Sequence, residues 1–131
     1  FKGRWQVLSN SPKVILDVCH NLEGFKNIIK QIKIENFKKL IFVMGFVKGR
    51  DIKQFFSILP SEAHYFISQP IIERAYPIKN IRSNLESLNY NIVYSETLKE
   101  AYFKALNLSS KEDLIILTGS NFIVQELIDL N

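Results

Sequence analysis

Short apolar runs alternate along the chain with segments in which apolar residues recur every three or four positions. A continuous apolar run of four to eight residues is typical of a strand buried on both faces, whereas a 3.6-residue period indicates an amphipathic helix. The pattern predicts strands over residues 6–8, 13–18, 40–44, 63–67, 91–94 and 114–118. Turn residues in the run SNSP, at positions 9–12, predict that the first two strands pair antiparallel.

Five helices are predicted between and after these strands. Asn21 and Asp51 are predicted to cap the first two, and either Ser95 or Thr97 to cap the fourth. Pro60 is expected to end the second. The apolar stripes are Phe25, Ile28, Ile29 and Ile32; Ile52, Phe55, Phe56 and Leu59; Ile78, Ile81, Leu85 and Leu88; Leu98, Ala101, Tyr102 and Ala105; and Ile123, Val124, Leu127 and Ile128.

Apolar strands separated by helices predict a three-layer, Rossmann-like α/β fold. We expect a mostly parallel sheet of about six strands, with an antiparallel amino-terminal strand and helices on both faces. The 131 residues are enough for one domain with its own core. The chain opens on Phe1 rather than Met, and we expect it to be a piece of a longer protein.

The composition and residue spacing of the chain argue against several classes of function. The net charge of +4 is a mild excess spread over helix faces, so no nucleic-acid partner is expected. No apolar run approaches the roughly 20 residues of a membrane span. The single cysteine, Cys19, excludes an internal disulfide and fits a reducing cytoplasm. The two histidines and this cysteine show no metal-ligand spacing, and no catalytic nucleophile motif is present.

Polar clusters follow three of the predicted strands, at residues 17–21, 45–51 and 118–120. Ligands of open α/β sheets bind outside the carboxyl ends of the strands, so these clusters are the candidate site. Lys48 in the second cluster can reach an anion, although the run GFVKGRD is not a Walker P-loop. Ser120 begins the last predicted helix, where it either caps the helix or holds a carboxylate.

Asp17 and His20 each have two interpretations. The Asp17 carboxylate either accepts backbone N–H groups and shapes the turn, or accepts the two hydroxyls of a ribose. His20 follows the strand and is expected to be exposed, either making a local hydrogen bond or donating to a substrate carboxylate or phosphate. Cys19 lies among apolar neighbours and is predicted to be a packing residue.

The runs GRWQVL, VILDVCHNLEGF, VMGFVKGRDI, ERAYP and LTGSNFIVQEL stand in this order and span nearly the whole chain. In this they resemble the carboxyl-terminal domain of folylpolyglutamate synthase and of bifunctional dihydrofolate synthase, in the Mur ligase superfamily. The family more often has Gly-Ala or Ala-Ala where this chain has Val18 and Cys19, and a run like D-K-D where this chain has KGRD.

The resemblance implies an ATP-dependent ligase that joins L-glutamate to dihydropteroate or a folate through an acyl phosphate. It implies that Arg4 reaches the ATP phosphates, that Asp17 lies near the ATP and glutamate sites, and that His20 and Ser120 hold the incoming glutamate, with His20 and Asp17 as the catalytic residues. The P-loop and the Mg²⁺ ligands of the family lie in an amino-terminal ATPase domain, which is absent here. The fragment is therefore expected to be inactive alone, and the parent to be a cytoplasmic monomer.

Two alternatives stay open at this point. One is a domain of a murein peptide ligase, which has the same chemistry and another substrate. The other is a stand-alone domain that binds a nucleotide or a protein without catalysis.

Overall fold

A computed structural model describes residues 3–71, 74–119, 126 and 127, and its centre is a six-stranded β-sheet. The strands are β1 (Gln6–Asn10), β2 (Lys13–Asp17), β3 (Leu40–Gly45), β4 (His64–Ser68), β5 (Asn91–Tyr94) and β6 (Leu114–Thr118). The helices are α1 (Leu22–Ile32), α2 (Ile52–Phe56), α3 (Ile78–Leu85) and α4 (Leu98–Leu108). None of the helices in these ranges is long and apolar enough to cross a membrane.

The strands lie in the order β1-β2-β6-β3-β4-β5. Only β1 runs antiparallel to its neighbour, with a register shift between Val7 and Ser9, and the other four pairings are parallel. Thr118 at the end of β6 pairs with Asp17 on one side and Met44 on the other. This mostly parallel sheet of six strands confirms the predicted fold class. Because β2, β6 and β3 are parallel, their carboxyl ends lie together at one edge of the sheet.

Alternate residues of the central strands pack into two separate cores. Ile15, Phe42 and Ile116 pack with α1, α2 and α3 on one face. Leu16, Val43 and Leu117 pack on the other face, against α4 and Leu127. Right-handed crossovers produce this division, since α1, α2 and α3 lead toward β5 and α4 returns to β6. Burial on both faces explains why these strands read as continuous apolar runs.

The predicted element boundaries are confirmed with small shifts. Asn21 and Asp51 cap α1 and α2 as predicted, each accepting a hydrogen bond from a backbone N–H three residues later. Thr97 caps α4, whereas Ser95 is buried and its backbone N–H donates to Ile67. Helix α2 ends at Phe56, before Pro60 is reached. Of the predicted last helix only Glu126 and Leu127 are described; both are helical, and its other residues lie outside the described part.

Asp113 links β6 to β3 at the amino edge of the sheet. Its buried carboxylate accepts hydrogen bonds from the backbone N–H groups of Ser110 (2.7 Å) and Lys39 (3.0 Å), and it forms an ion pair with the Lys39 ammonium at 3.2 Å. Burial alone would raise the pKa of Asp113, but these hydrogen bonds outweigh it and the pKa is lowered. The sequence pattern did not predict this link, which sets the relative position of the two strands.

Candidate functional site

At the carboxyl edge of the sheet, the connections on the two sides of β6 lead to opposite faces. The chain leaves β2 and β3 toward α1 and α2 on one face, whereas Leu127, which follows β6, packs on the opposite face. Such a reversal opens a crevice at the carboxyl ends of the strands, and it is the usual ligand site of open α/β sheets. All three polar clusters predicted from the sequence follow strands that end here.

Gly119 brings β6 very close to β3 at this edge. It has a φ of +115°, and a Cβ atom on it would lie 2.2 Å from the carbonyl oxygen of Gly45. Neither the conformation nor the contact is open to a residue with a side chain. The start of the cluster at 118–120 is therefore held against the end of β3.

Arg4 is held beside the end of β2 by a hydrogen bond to each of its two neighbours in the chain. The Val18 N–H donates to the Gly3 carbonyl at 2.7 Å, and the Trp5 N–H donates to the Asp17 carboxylate at 3.2 Å. Trp5 has a φ of +44°, which is uncommon for a residue other than glycine. The structural role considered for Asp17 is thus observed, because this carboxylate holds the turn that carries Arg4.

The surroundings of Asp17 also make it an unusual acid. The residue is only 7% exposed, and desolvation raises the pKa of its carboxyl above the ordinary value of 3.8. Hydrogen bonds from Trp5 and Cys19 and the Arg4 charge act in the opposite direction without cancelling it. An acid kept in a position where its ionised form is disfavoured is a recognised property of functional sites.

A cleft of about 320 Å³ opens next to this turn. Arg4 and His20 both line it, so residues separated along the chain meet in one place. His20 is half-buried rather than exposed as expected, because it lies between the buried Cys19 and the first turn of α1. Glu23 and Asn27, one turn apart on α1, line the same cleft. Helical spacing from His20 and Asn21 was the signal that could have pointed to them.

Cys19 is a packing residue, as predicted. It is 6% exposed, and its Sγ lies 3.2 Å from the Thr118 Oγ1, so it links the β2–α1 loop to the end of β6. Burial raises the pKa of the thiol to about 12. The thiolate that nucleophilic chemistry requires is therefore absent at neutral pH. Gly24 leaves room for the Cys19 Cβ, which would lie 2.5 Å from a Cβ added at position 24.

The remaining predicted site residues differ in how far the structure describes them. Ser120 lies outside the described residues, so its interpretation as cap or ligand is not resolved. Lys48 is exposed and does not line the cleft with Arg4 and His20. Instead its backbone N–H donates to the Arg74 carbonyl, a pairing that no sequence signal indicated. Within the described ranges, no three metal-ligating side chains come together.

These features define a class: a doubly wound α/β domain whose ligand crevice lies at a switch point of the sheet. Residues 3–121 match the family described as "Mur ligase, glutamate ligase domain". The chain belongs to this family, and the likeness is to the carboxyl-terminal domain of its folylpolyglutamate synthases, which confirms the resemblance seen in the sequence.

Among curated relatives, the chain is 31% identical over 129 residues to a dihydrofolate synthase/folylpolyglutamate synthase of Buchnera aphidicola, covering 98% of this chain and 31% of the relative. The chain thus spans about a third of the length of this relative. A crystal structure of a bifunctional folylpolyglutamate synthase/dihydrofolate synthase from Yersinia pestis matches with a TM-score of 0.86 and 21% identity, over 99% of this chain and 31% of that one. A Mycobacterium tuberculosis folylpolyglutamate synthase complexed with ADP matches with a TM-score of 0.87 and 19% identity, over 98% and 32%.

Proposed function

We propose that the chain is the glutamate ligase domain of an ATP-dependent ligase that joins L-glutamate to dihydropteroate or to a folate carrying glutamates. In this proposal an amino-terminal ATPase domain of the same protein supplies the P-loop and holds Mg²⁺. The two domains face each other across the cleft lined by Arg4 and His20. Relatives named dihydrofolate synthase/folylpolyglutamate synthase support this assignment, as do solved relatives complexed with ADP and with L-glutamate.

The observation that carries the proposal is the convergence of Arg4, Asp17 and His20 at one carboxyl edge. Arg4 lines the cleft while the turn that carries it is held by the Asp17 carboxylate, and His20 lines the same cleft. A guanidinium forms paired hydrogen bonds with phosphate or carboxylate oxygens, and an imidazole can donate to a carboxylate. The cleft therefore carries the donors that an anionic nucleotide and a dicarboxylic amino acid require.

The proposed reaction has three steps. A carboxylate of the pteroate or folate attacks the γ-phosphate of ATP, which gives an acyl phosphate and ADP. The amino group of glutamate attacks the acyl carbon, and the tetrahedral intermediate releases phosphate and leaves an amide. Arg4 compensates the charge that builds on the transferring phosphoryl group. His20 and Ser120 orient the glutamate. Asp17 positions Arg4 and contacts the nucleotide.

A murein peptide ligase is the second candidate, and one comparison favours it. The chain is 32% identical over 129 residues to a UDP-N-acetylmuramoyl-L-alanyl-D-glutamate–2,6-diaminopimelate ligase of Buchnera aphidicola. Both candidate enzymes use ATP to drive formation of an amide bond, so they differ in the acceptor and in the amino acid that is joined to it. Supplying the full-length protein with each acceptor in turn, and measuring ATP-dependent ligation, separates the two.

The test of the site is a set of three single substitutions in the full-length protein. Arg4→Gln is expected to raise the KM for ATP or lower kcat, and His20→Ala and Ser120→Ala to raise the KM for glutamate more than that for ATP. Loss of a charged contact typically lowers kcat/KM by about ten- to a hundredfold, and loss of the neutral Ser120 bond by about tenfold or less.

His64→Ala is the matched control for His20. His64 is the chain's other histidine, and it begins β4 at the opposite edge of the sheet, where its Nδ1 lies 3.0 Å from the Asn91 amide nitrogen. Its loss is expected to leave both KM values unchanged. Equal effects of His20→Ala on ATP and glutamate would contradict the assignment. The isolated chain should not ligate glutamate, and appreciable turnover by it would refute the proposed need for the amino-terminal domain.

A further inference from the structure

The proposed reaction gives no role to Thr118, a buried residue at the end of β6. We propose that Thr118 is a positioning residue, which fixes the place of the His20 imidazole in the cleft through a contact with Cys19. The inference rests on the proposed function, because it concerns how one of the proposed glutamate-binding side chains is held.

The place of His20 depends on its two neighbours in the chain. Its imidazole lines the cleft without a hydrogen bond to any residue that the structure describes. On the carboxyl side, the Asn21 side chain accepts a hydrogen bond from the Gly24 N–H at 2.8 Å and begins α1. On the amino side lies Cys19, which is almost fully buried. Whatever holds Cys19 therefore also limits the movement of His20.

Thr118 holds Cys19 from the neighbouring strand. The Thr118 Oγ1 lies 3.2 Å from the Cys19 Sγ, and either atom can be the donor of this hydrogen bond. Burial keeps the thiol protonated, because it raises the pKa of Cys19 to about 12, so the contact joins two neutral groups. Thr118 is 0% exposed, so water does not compete for its hydroxyl. The loop that leads to His20 is thus tied to β6 at its buried residue.

The sheet fixes Thr118 in turn. Strand β6 lies between β2 and β3, and Thr118 is in register with Asp17 of β2. Its side chain points to the face covered by α1, because Ile116, two residues earlier, packs on that face. Asp17 is the residue whose carboxylate holds the turn that carries Arg4. The register pair therefore supports both sides of the site, Arg4 through Asp17 and His20 through Thr118.

The alternative is that the contact between Thr118 and Cys19 only packs the core. Valine has the same shape as threonine and would fill this position without needing a partner, whereas an unpaired buried hydroxyl is costly. A purely structural role predicts a loss of stability with no selective effect on glutamate. A positioning role predicts that the KM for glutamate rises while the KM for ATP does not.

The deciding variant is Thr118→Val in the full-length protein, because it removes the hydroxyl and keeps the shape of the side chain. We expect the KM for glutamate to rise about three- to tenfold, the factor that corresponds to one neutral hydrogen bond. The KM for ATP should stay within about twofold, since the Arg4 turn is held by Asp17 rather than by Thr118. Thr118→Ser and Cys19→Ser each keep a hydroxyl at the contact, and both should restore the KM for glutamate to within about twofold of the wild type.

A double-mutant cycle tests whether Thr118 acts through Cys19. Cys19→Ala alone should raise the KM for glutamate by about the same factor as Thr118→Val. The two substitutions together should be no worse than either one, because each removes the same contact. Additive effects would mean that the two residues act independently, and the inference would then be wrong.

Thr97→Val is the matched control. Thr97 is the other threonine of this chain, and it caps α4 on the opposite face of the sheet, where its Oγ1 accepts a hydrogen bond from the Glu100 N–H at 3.1 Å. Loss of this cap should lower the urea midpoint of unfolding and leave both KM values unchanged. If Thr118→Val does the same, Thr118 has only a structural role and the inference is overturned, with the proposed ligase function intact.

A chemical measurement makes the inference independent of catalysis. Diethyl pyrocarbonate modifies accessible imidazoles, and peptide mass spectrometry of the full-length protein follows His20 and His64 separately. His20 is half-buried and should react several times faster in Thr118→Val and in Cys19→Ala, whereas His64, which begins β4 at the opposite edge, should react at the wild-type rate. If this difference is found but the wild type does not ligate glutamate, the proposed function is wrong and the support of His20 by Thr118 stands. An unchanged rate at His20 in both variants would overturn the inference whatever the kinetics show.

Discussion

Replacing Gly119 with alanine is expected to destabilise the domain far more than the same change at Gly49. Gly119 has a φ of +115°, a region that is nearly restricted to glycine, and an added Cβ would lie 2.2 Å from the Gly45 carbonyl oxygen and 3.1 Å from its nitrogen. Gly49 has a φ of +86°, but its Cβ would meet no atom within 4 Å. The two substitutions share the backbone strain and differ in the clash.

The magnitude follows from these two contributions. Backbone strain at such a φ costs about 1–3 kcal/mol, and this is the expected loss for Gly49→Ala. Forcing an atom into a filled position adds about 1–3 kcal/mol, because β6 and β3 must separate where their backbones touch. Gly119→Ala should therefore lower the free energy of unfolding by about 2–6 kcal/mol, the sum of the two contributions. The lower entropy of the unfolded alanine chain acts equally at both sites and cancels in the comparison.

Urea unfolding followed by far-ultraviolet circular dichroism measures both variants against the wild type. The slope of the transition should be unchanged, so that a lower midpoint reports stability alone. If Gly119→Ala is no more destabilising than Gly49→Ala, the close approach of β6 to β3 does not exist in solution. The argument that places the 118–120 cluster against the end of β3 would then be wrong.

Two further predictions concern the buried acids. Desolvation raises the pKa of Asp17 above 3.8, so the stability associated with its protonated form is present below that value and is lost as pH rises through the folded pKa. Asp17→Asn should then match the wild type in stability near pH 4 and equal or exceed it at pH 7. The rate of ligation by the same variant should fall at least about tenfold. A loss of stability at pH 7 would show instead that the residue is purely structural. Hydrogen bonds lower the pKa of Asp113 despite its burial, so its contribution is present above 3.8 and is lost as pH falls through the folded value. Asp113→Ala should lower the free energy of unfolding in urea by about 2–3 kcal/mol at pH 7, because the Lys39 and Ser110 N–H groups lose their acceptor. This loss of stability should be smaller in acid, and a loss that does not change with pH would refute the prediction.

Part of the site could be predicted because its signals are local. The acid at the end of β2, the histidine after it and the glycine after β6 follow strands that the apolar pattern already identifies. Parallel strands align their carboxyl ends, so the meeting of these residues at one edge follows from the fold class alone. The caps at Asn21 and Asp51 were predictable for the same reason, since a cap and the N–H it accepts are three residues apart.

The remainder depends on contacts between residues far apart in sequence. The support of the Arg4 turn by Asp17 requires a positive φ at Trp5, which no propensity favours. Lys48 and Arg74 meet only because two loops pair backbone to backbone. Thr97 rather than Ser95 caps α4, because Ser95 is buried and its backbone N–H donates to the Ile67 carbonyl in β4.

The type and order of the elements, the three-layer class and the sheet edge that carries the polar clusters could all be predicted from local patterns in the sequence. Periodicity, caps and turn residues act within a few positions of one another, and each can be recognised without knowing the fold. The tertiary structure alone decided which polar groups are buried, which charges are brought together and where two backbones touch. Burial changes the pKa of an acid only once distant segments have packed. For this reason the chemistry of Asp17 appears in the folded chain and nowhere in the local pattern.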